Sequence, residues 1–248
     1  MERIDDLNIK GRKIIQDTDY FLFGIDSVIL ANSVKCKSQD IVMDFCTGTA
    51  VIPVIIDAKQ ECKKLLGVEL QEEMYNLAKR NVELNKLCDR IDVLNLNIAD
   101  VKSIRKYLLN TYNTESVSVI TCNPPYKEVG TGLKINCNVK DIAKNEIKCN
   151  LDMVFKSANA LLKSRGKLYM VHKPERIADL ISTARKYNME LKSMRLMQPN
   201  ITKRASIVLL EYVKDGGNEC KIEPTIIEFD ENLNYTKDIL DMYCDKSL

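Results

Sequence analysis

Tryptophan is absent from this 248-residue sequence, and histidine occurs once. A single histidine excludes a His-rich metal centre. There are nine cysteines, an odd number. No two are spaced C-x-x-C, which argues against a zinc ribbon or a thioredoxin motif. Scattered thiols of this kind suit a reducing cytosol, where they stay buried or inert. No apolar run approaches the roughly 18 residues of a membrane span. The longest candidate, residues 21–31, is interrupted by Asp26. The opening MERIDDLNIK has no apolar core of a secretory signal. These absences set the expectation of a cytoplasmic protein with no membrane partner and no metal.

Net charge is also nearly missing: 37 basic and 35 acidic residues leave +2. Its placement is uneven. Residues 1–40 carry −1, 41–100 carry −3, 101–150 carry +4, 151–205 carry +8 and 206–248 carry −6. Such asymmetry points to an anionic ligand surface, with solvated helix faces as the plain alternative.

What is present is ordinary globular material, 45% hydrophobic and 29% charged. The length suits one large domain or two small ones, enough to bury a core without staples. We read a single domain over 1–248: an opening strand-and-helix segment to residue 39, a core over 40–213 and an acidic tail over 214–248. Short apolar runs at 40–45, 64–69, 91–96, 117–122 and 166–172 predict strands. Periodic stretches at 49–59, 71–85, up to about 108, 150–162 and 174–187 predict helices. Residues 127–149 are polar and poorly periodic, and read as a long loop. Two strands, 189–197 and 205–213, close the core through QPNITKR. A short strand at 225–229 is possible in the tail. Strand–helix alternation predicts an α/β fold: a mostly parallel sheet with helices on both faces and an antiparallel hairpin at one edge.

In such sheets ligands bind at the carboxyl ends of the strands. Four places qualify. Residues 44–50 (DFCTGTA) form a small-residue turn after the first core strand. It is either a tight turn or a place where backbone approaches a ligand, and one glycine is too few for a dinucleotide fingerprint. Glu69 ends the second strand, where a carboxylate can accept ribose hydroxyls or start a helix. Asp100 follows the third strand and could accept from an adenine amino group, or be a lone acid. Asn123, Pro124, Pro125 and Tyr126 directly follow the fourth. Two prolines fix a rigid extended backbone. The Asn side chain and a main-chain carbonyl offer two acceptors for the two hydrogens of an –NH₂ group, and Tyr offers a stacking plate. Asp26 could face a ligand or act as a helix N-cap. His172 and Cys46 read as structural.

These motifs resemble the class I S-adenosylmethionine methyltransferases over essentially the whole chain. Residues 44–50 resemble their D-x-G-x-G-x-G loop, with Cys46 and Ala50 in place of the outer glycines and Gly48 kept. The resemblance implies a Rossmann-like fold with a seven-stranded sheet and S-adenosylmethionine as cofactor. It implies that Asp44, Cys46, Gly48, Glu69, Leu70, Asp100 and Asn123 line the cofactor site. Asn123 to Tyr126 match the [D/N]-P-P-[Y/F/W] signature of enzymes that methylate amino nitrogens. Residues 21–31 and the tail Tyr235-Thr236-Lys237-Asp238-Ile239 are similar to the bacterial valine-tRNA adenine-N6 methyltransferases. That family implies tRNA as partner, with methylation of the adenine next to the anticodon. Lys127, Lys203 and Arg204 would then contact RNA phosphates, with Lys134, Lys140, Lys144, Lys148, Lys192 and Arg195 in the same basic excess. Two other readings are kept open. One is glutamine N5-methylation of a protein such as a release factor, which poses the same –NH₂ problem. The other is a non-catalytic RNA-binding module.

Overall fold

The computed structural model describes residues 1–20, 22–125 and 150–243. Phe21, Tyr126, Lys127 and the rest of the expected 127–149 loop, its lysines included, lie outside the described residues. The chain opens with a hairpin, β1 (Glu2–Asp6) and β2 (Lys13–Asp17), then α1 (Ile25–Ser33). The core follows as β3 (Ile41–Phe45), α2 (Val51–Lys59), β4 (Lys64–Glu69), α3 (Glu72–Leu84), β5 (Ile91–Asn95), α4 (Val101–Tyr112) and β6 (Val117–Cys122). It continues with α5 (Leu151–Leu161), β7 (Leu162–His172), a 3₁₀ turn (Pro174–Arg176), α6 (Ile177–Lys186), β8 (Met189–Gln198) and β9 (Ile207–Lys214). The tail adds β10 (Lys221–Ile222), β11 (Ile226–Ile227) and α7 (Lys237–Tyr243).

Strand character follows burial. All five residues of β3 are buried, and so are five of the six in β4. Near-continuous apolar runs are what parallel strands covered on both faces require. Between the strands the period changes to helical. In α3, Met74, Leu77, Ala78 and Val82 face inward, and Glu72 and Glu73 sit in the first turn where the helix dipole favours them.

The sheet runs β5-β4-β3-β6-β7-β9-β8, with β10 and β11 both pairing with β8. All pairings are parallel except those of β9, which lies antiparallel between β7 and β8. Seven long strands and two two-residue strands thus make nine. One apolar cluster holds α1, α2, α3 and α7 residues on one face; another holds α4, α5 and α6 residues on the other. Strand order reverses between β3 and β6. This is the topological switch point, and its crevice lies at the carboxyl ends of those strands.

Three features differ from expectation. β7 begins at Leu162 rather than 166, through a register shift against β6 and a left-handed Arg165 (φ 64). The acidic tail is packed, with Ile226, Ile239 and Met242 in the same cluster as Val28 of α1. The opening segment contains a hairpin whose β1 is mostly exposed and charged.

That hairpin is held by two asparagines one turn apart, Asn81 in the last turn of α3 and Asn85 at its C-cap. Asn85 accepts from Lys13 N–H (2.9 Å) and donates to Lys13 C=O (2.6 Å). Asn81 accepts from Ile15 N–H (2.6 Å) and donates to the carbonyls of Ile15 (3.1 Å) and Thr49 (3.0 Å). The two amides close the outer edge of β2 as a neighbouring strand would. Asn81 is fully buried. Truncation would orphan Ile15 N–H and two carbonyls, so Asn81→Ala should cost about 2–4 kcal/mol in urea unfolding. It should also speed amide exchange at Ile15. Unchanged stability would refute this role.

Candidate functional site

At the carboxyl end of β3, Asp44 is 1% exposed. Its Oδ1 accepts from the Thr121 hydroxyl of β6 (2.6 Å) and its Oδ2 from the Thr47 hydroxyl (2.6 Å). One carboxylate therefore joins the loop after β3 to the strand beside it. Burial pushes its pKa up from 3.8 to about 7; the two hydroxyls oppose the rise and nearby Glu69 adds to it.

The loop takes a left-handed path at alternate positions: Cys46 (φ 55), Gly48 (φ 57) and Ala50 (φ 62). Cys46 and Ala50 stand where the resembled motif has glycine, yet they hold glycine-like backbone. Each carries a cost of about 1–2 kcal/mol. The loop's path is thus kept despite both replacements. Thr47 N–H donates to Val68 C=O (3.2 Å) of β4. Gly67 makes the close approach possible, because a Cβ there would stand 2.8 Å from the Thr47 methyl.

Glu69, 5% exposed, ends β4. Its Oε2 accepts from Gly48 N–H (2.9 Å) and its Oε1 from Gln71 N–H (2.9 Å). Asn95 of β5 donates to the carbonyls of Glu69 (3.0 Å) and Leu70 (3.1 Å), which fixes the turn. Asp100 is the N-cap of α4. Its Oδ1 accepts from Ser103 N–H (3.1 Å); hydrogen bonding from the Ser103 side chain first, and then from that N–H, holds its pKa below the usual carboxylate value. It is exposed.

Asn123 follows β6 directly and is half-buried, with Pro124 buried and Pro125 exposed. The Asn123 amide donates to Ser27 Oγ of α1 (3.0 Å). Asp26 lies inside the first turn of α1 rather than at its N-cap, which is Gly24, and accepts from Ser27 N–H (2.8 Å). His172 is 6% exposed, and its Nδ1 accepts from Lys173 N–H (2.8 Å).

Lys203 and Arg204 are exposed in the β8–β9 turn. Because β8 runs parallel to β7, this turn projects from the same end of the sheet as Asn123. Neither pairs with an acid among the described residues. Much of the remaining basic excess is committed elsewhere. Arg185 pairs with Glu190, Lys186 with Asp152 and Arg176 with Asp179. Lys192 and Arg195, expected to flank the RNA surface, instead bind the tail at Gly217 C=O and Pro224 C=O.

The structure therefore brings Asp44, Cys46, Gly48, Glu69 and Asn123 to one crevice and sets Asp100 on a helix end. Sequence reasoning missed Thr47, Thr121, Asn95 and Ser27. Strand alternation would have placed Thr121 on the same face as Asn123, two residues on.

Residues 23–184, well over half of the chain, match the methyltransferase small domain family. The chain belongs to that family. Among curated proteins this methyltransferase domain is similar to a U6 small nuclear RNA adenine-N6 methyltransferase of Caenorhabditis briggsae, 28% identical over 160 residues, 64% of this chain and 32% of that protein. The chain thus spans about a third of the nematode protein's length. It is similar end to end to a tRNA1(Val) adenine-N6 methyltransferase of Flavobacterium psychrophilum, at 22% identity over 94% of this chain and 95% of that one. A Methanocaldococcus jannaschii protein named for N5-glutamine methylation is 30% identical over 131 residues, 52% of this chain and 59% of its own. In fold it resembles the crystal structure of a predicted O-methyltransferase from Agrobacterium tumefaciens, with a TM-score of 0.68 at 17% identity, covering 88% of this chain and 95% of that one.

In this methyltransferase domain Asp44 has a measurable signature. Its folded pKa lies above its ordinary 3.8. Between 3.8 and about 7 the folded state therefore holds a proton that the unfolded state has lost. That contribution is fully present below the unfolded value and is lost as pH rises through the folded one. Stability should fall by up to about 1.4 kcal/mol per pH unit across the window from this group alone. Asp44→Asn should remove that slope in urea unfolding between pH 5 and 8. Parallel pH profiles for the two proteins would contradict the assignment.

Proposed function

We propose that this protein transfers a methyl group from S-adenosylmethionine to the exocyclic N6 of an adenine in RNA, and that the RNA is a valine tRNA methylated next to its anticodon. One observation carries the reading. Asn123, Pro124 and Pro125 leave β6 at the switch point, and Thr121 on that strand shares Asp44 with the loop after β3. The relatives acting on adenine N6 support it, and the end-to-end similarity to the tRNA1(Val) enzyme supports the finer substrate.

The residues present fit the cofactor. The loop has three left-handed positions. At Gly48 a Cβ would meet nothing nearer than Met74 Cε at 3.8 Å, so the backbone there is open to close approach. The resemblance assigns Cys46 and Leu70 to the same site. Glu69 sits at the tip of β4 with both oxygens anchored by backbone N–H groups, which leaves lone pairs for ribose hydroxyls. Asp100, exposed at the start of α4, would accept from an adenine amino group. When bound, S-adenosylmethionine supplies a methyl group on a sulfonium, open to displacement by a nitrogen lone pair.

The protein's own task is to make the adenine amino nitrogen a better nucleophile. Its lone pair is delocalised into the ring. Asn123 Oδ1 and Pro124 C=O accept its two N–H bonds, favour a tetrahedral nitrogen and stabilise the positive charge that develops there. Positioning supplies much of the rest, up to ~7–11 kcal/mol for near-attack geometry. The base must be unstacked, which is cheapest in a loop. Lys203 and Arg204 hold RNA phosphates on the same end of the sheet; the basic excess in the sequence assigns Lys127 to RNA contact, and the ring of Tyr126 suits base stacking.

Methyl transfer to unmodified tRNA, followed by nucleoside mass spectrometry, tests the reading. N6-methyladenosine should appear in a valine isoacceptor, and Asn123→Ala should lower the rate at least about a hundredfold. Methylation of a protein glutamine with no RNA product would favour the chemistry named for the Methanocaldococcus relative.

Charge reversal of Lys203 and Arg204 together should weaken tRNA binding. It should also flatten the log–log salt dependence by about 1.5, with cofactor affinity intact. Unchanged tRNA affinity would remove both from the RNA interface.

A further inference from the structure

The start of α1 is a run of buried residues in which Val28, Ile29, Leu30 and Ala31 are each 0% exposed. Ser27 opens that run at 3% exposure. A buried hydroxyl among apolar side chains is costly unless it is bonded. Its partner is the Asn123 amide, 96 residues away in sequence, with Nδ2 donating to Oγ at 3.0 Å.

The contact matters because the two ends of an Asn amide are chemically opposite. A half-turn about χ2 exchanges an acceptor oxygen for a donor –NH₂ with little change in shape. A target amino group carries donors. Only the orientation with Oδ1 facing it gives an attractive contact; the inverted one sets donor against donor. Proline at 124 holds the main chain but does nothing to choose between the two amide orientations. In the structure Nδ2 donates to Ser27 Oγ, and this is the orientation that turns Oδ1 away from α1.

We propose that Ser27 is a positioning residue for methyl transfer: its Oγ anchors the Asn123 Nδ2 and so presents the Asn123 Oδ1 to the substrate amino group. The inference rests on the reading of Asn123 under the proposed function. It assigns the first turn of α1 a part in turnover and not only in packing. It also separates the roles of Ser27 and Asp26, since the Asp26 carboxylate accepts from the Ser27 main-chain N–H and leaves its hydroxyl to Asn123.

The test is steady-state methyl transfer to RNA by Ser27→Ala, Ser27→Cys and Ser27→Thr, alone and combined with Asn123→Ala. Alanine removes one oxygen from a packed site, so the protein should fold, and the melting temperature checks this. Ser27→Ala should lower kcat about tenfold, the size of one net hydrogen bond. KM for RNA and Kd for S-adenosylmethionine should stay within about twofold. Ser27→Thr, which keeps the hydroxyl, should regain most of the lost rate, and Ser27→Cys, a weaker acceptor, should fall between. Added to Asn123→Ala, Ser27→Ala should cost nothing further, because its effect runs through that side chain. A wild-type kcat in Ser27→Ala, or an equal loss in both backgrounds, would overturn the inference while leaving the adenine reading standing. A wild-type protein that transfers no methyl group to adenine would instead overturn the reading of Asn123, and this inference with it.

Discussion

Asp44 is the point on which the crevice depends. A carboxylate with almost no exposed surface can persist only if its lone pairs are occupied. Here two threonine hydroxyls reach it from different elements, one from the loop it begins and one from the neighbouring strand. The loop is further bound to β4 through Thr47 and to Glu69 through Gly48. Three adjacent strand tips are therefore tied by short polar bonds rather than by apolar packing. Directional bonds of this kind fix position more sharply than hydrophobic contact, which is non-directional.

The same device recurs away from the crevice. The Asn81 and Asn85 amides stand in for a missing strand beside β2. Gln16 of β2 accepts from Phe23 N–H (2.9 Å), just before α1. Asn81 also reaches the loop after β3 through Thr49. The hairpin, α1 and the loop are thus coupled through buried amides, and the coupling ends at Ser27 and Asn123. Both faces of the sheet carry ordinary apolar clusters, so packing supports the layers while amides and hydroxyls set the register between them.

Most of the core was legible in the sequence. The runs that became β3, β4, β6 and β9 are apolar enough to be buried on both faces, and α3 shows its inward stripe plainly. What escaped lacked a local signal. β1 reads ERIDD, a charged stretch that becomes a strand only because β2 is there to pair with it. β10 and β11 have two residues each, and β8 defines them. At the crevice, Asp44, Glu69 and Asn123 stood out as polar residues at strand ends. Thr121 and Ser27 did not, since their meaning is the long-range partner each one meets. Asp100 had a motif-level meaning and a local one; the structure shows the local one, a helix cap. Segment charge shows the same limit. Lys167, Arg176, Arg185, Lys186 and Arg195, all counted in residues 151–205, pair with carboxylates, whereas Lys203 and Arg204 are exposed in the β8–β9 turn.

Cys46 and Ala50 have an implication for descent. A left-handed residue with a side chain is strained in the folded chain, whereas glycine at the same place gives the unfolded chain more freedom to lose. The two effects oppose each other, and the strain is the larger, so the net cost of a small residue here is below the cost of the handedness alone. The loop keeps its shape at that cost. Counting glycines would overlook such sequences. The alternation of backbone handedness along the loop carries the motif where two of its glycines are missing.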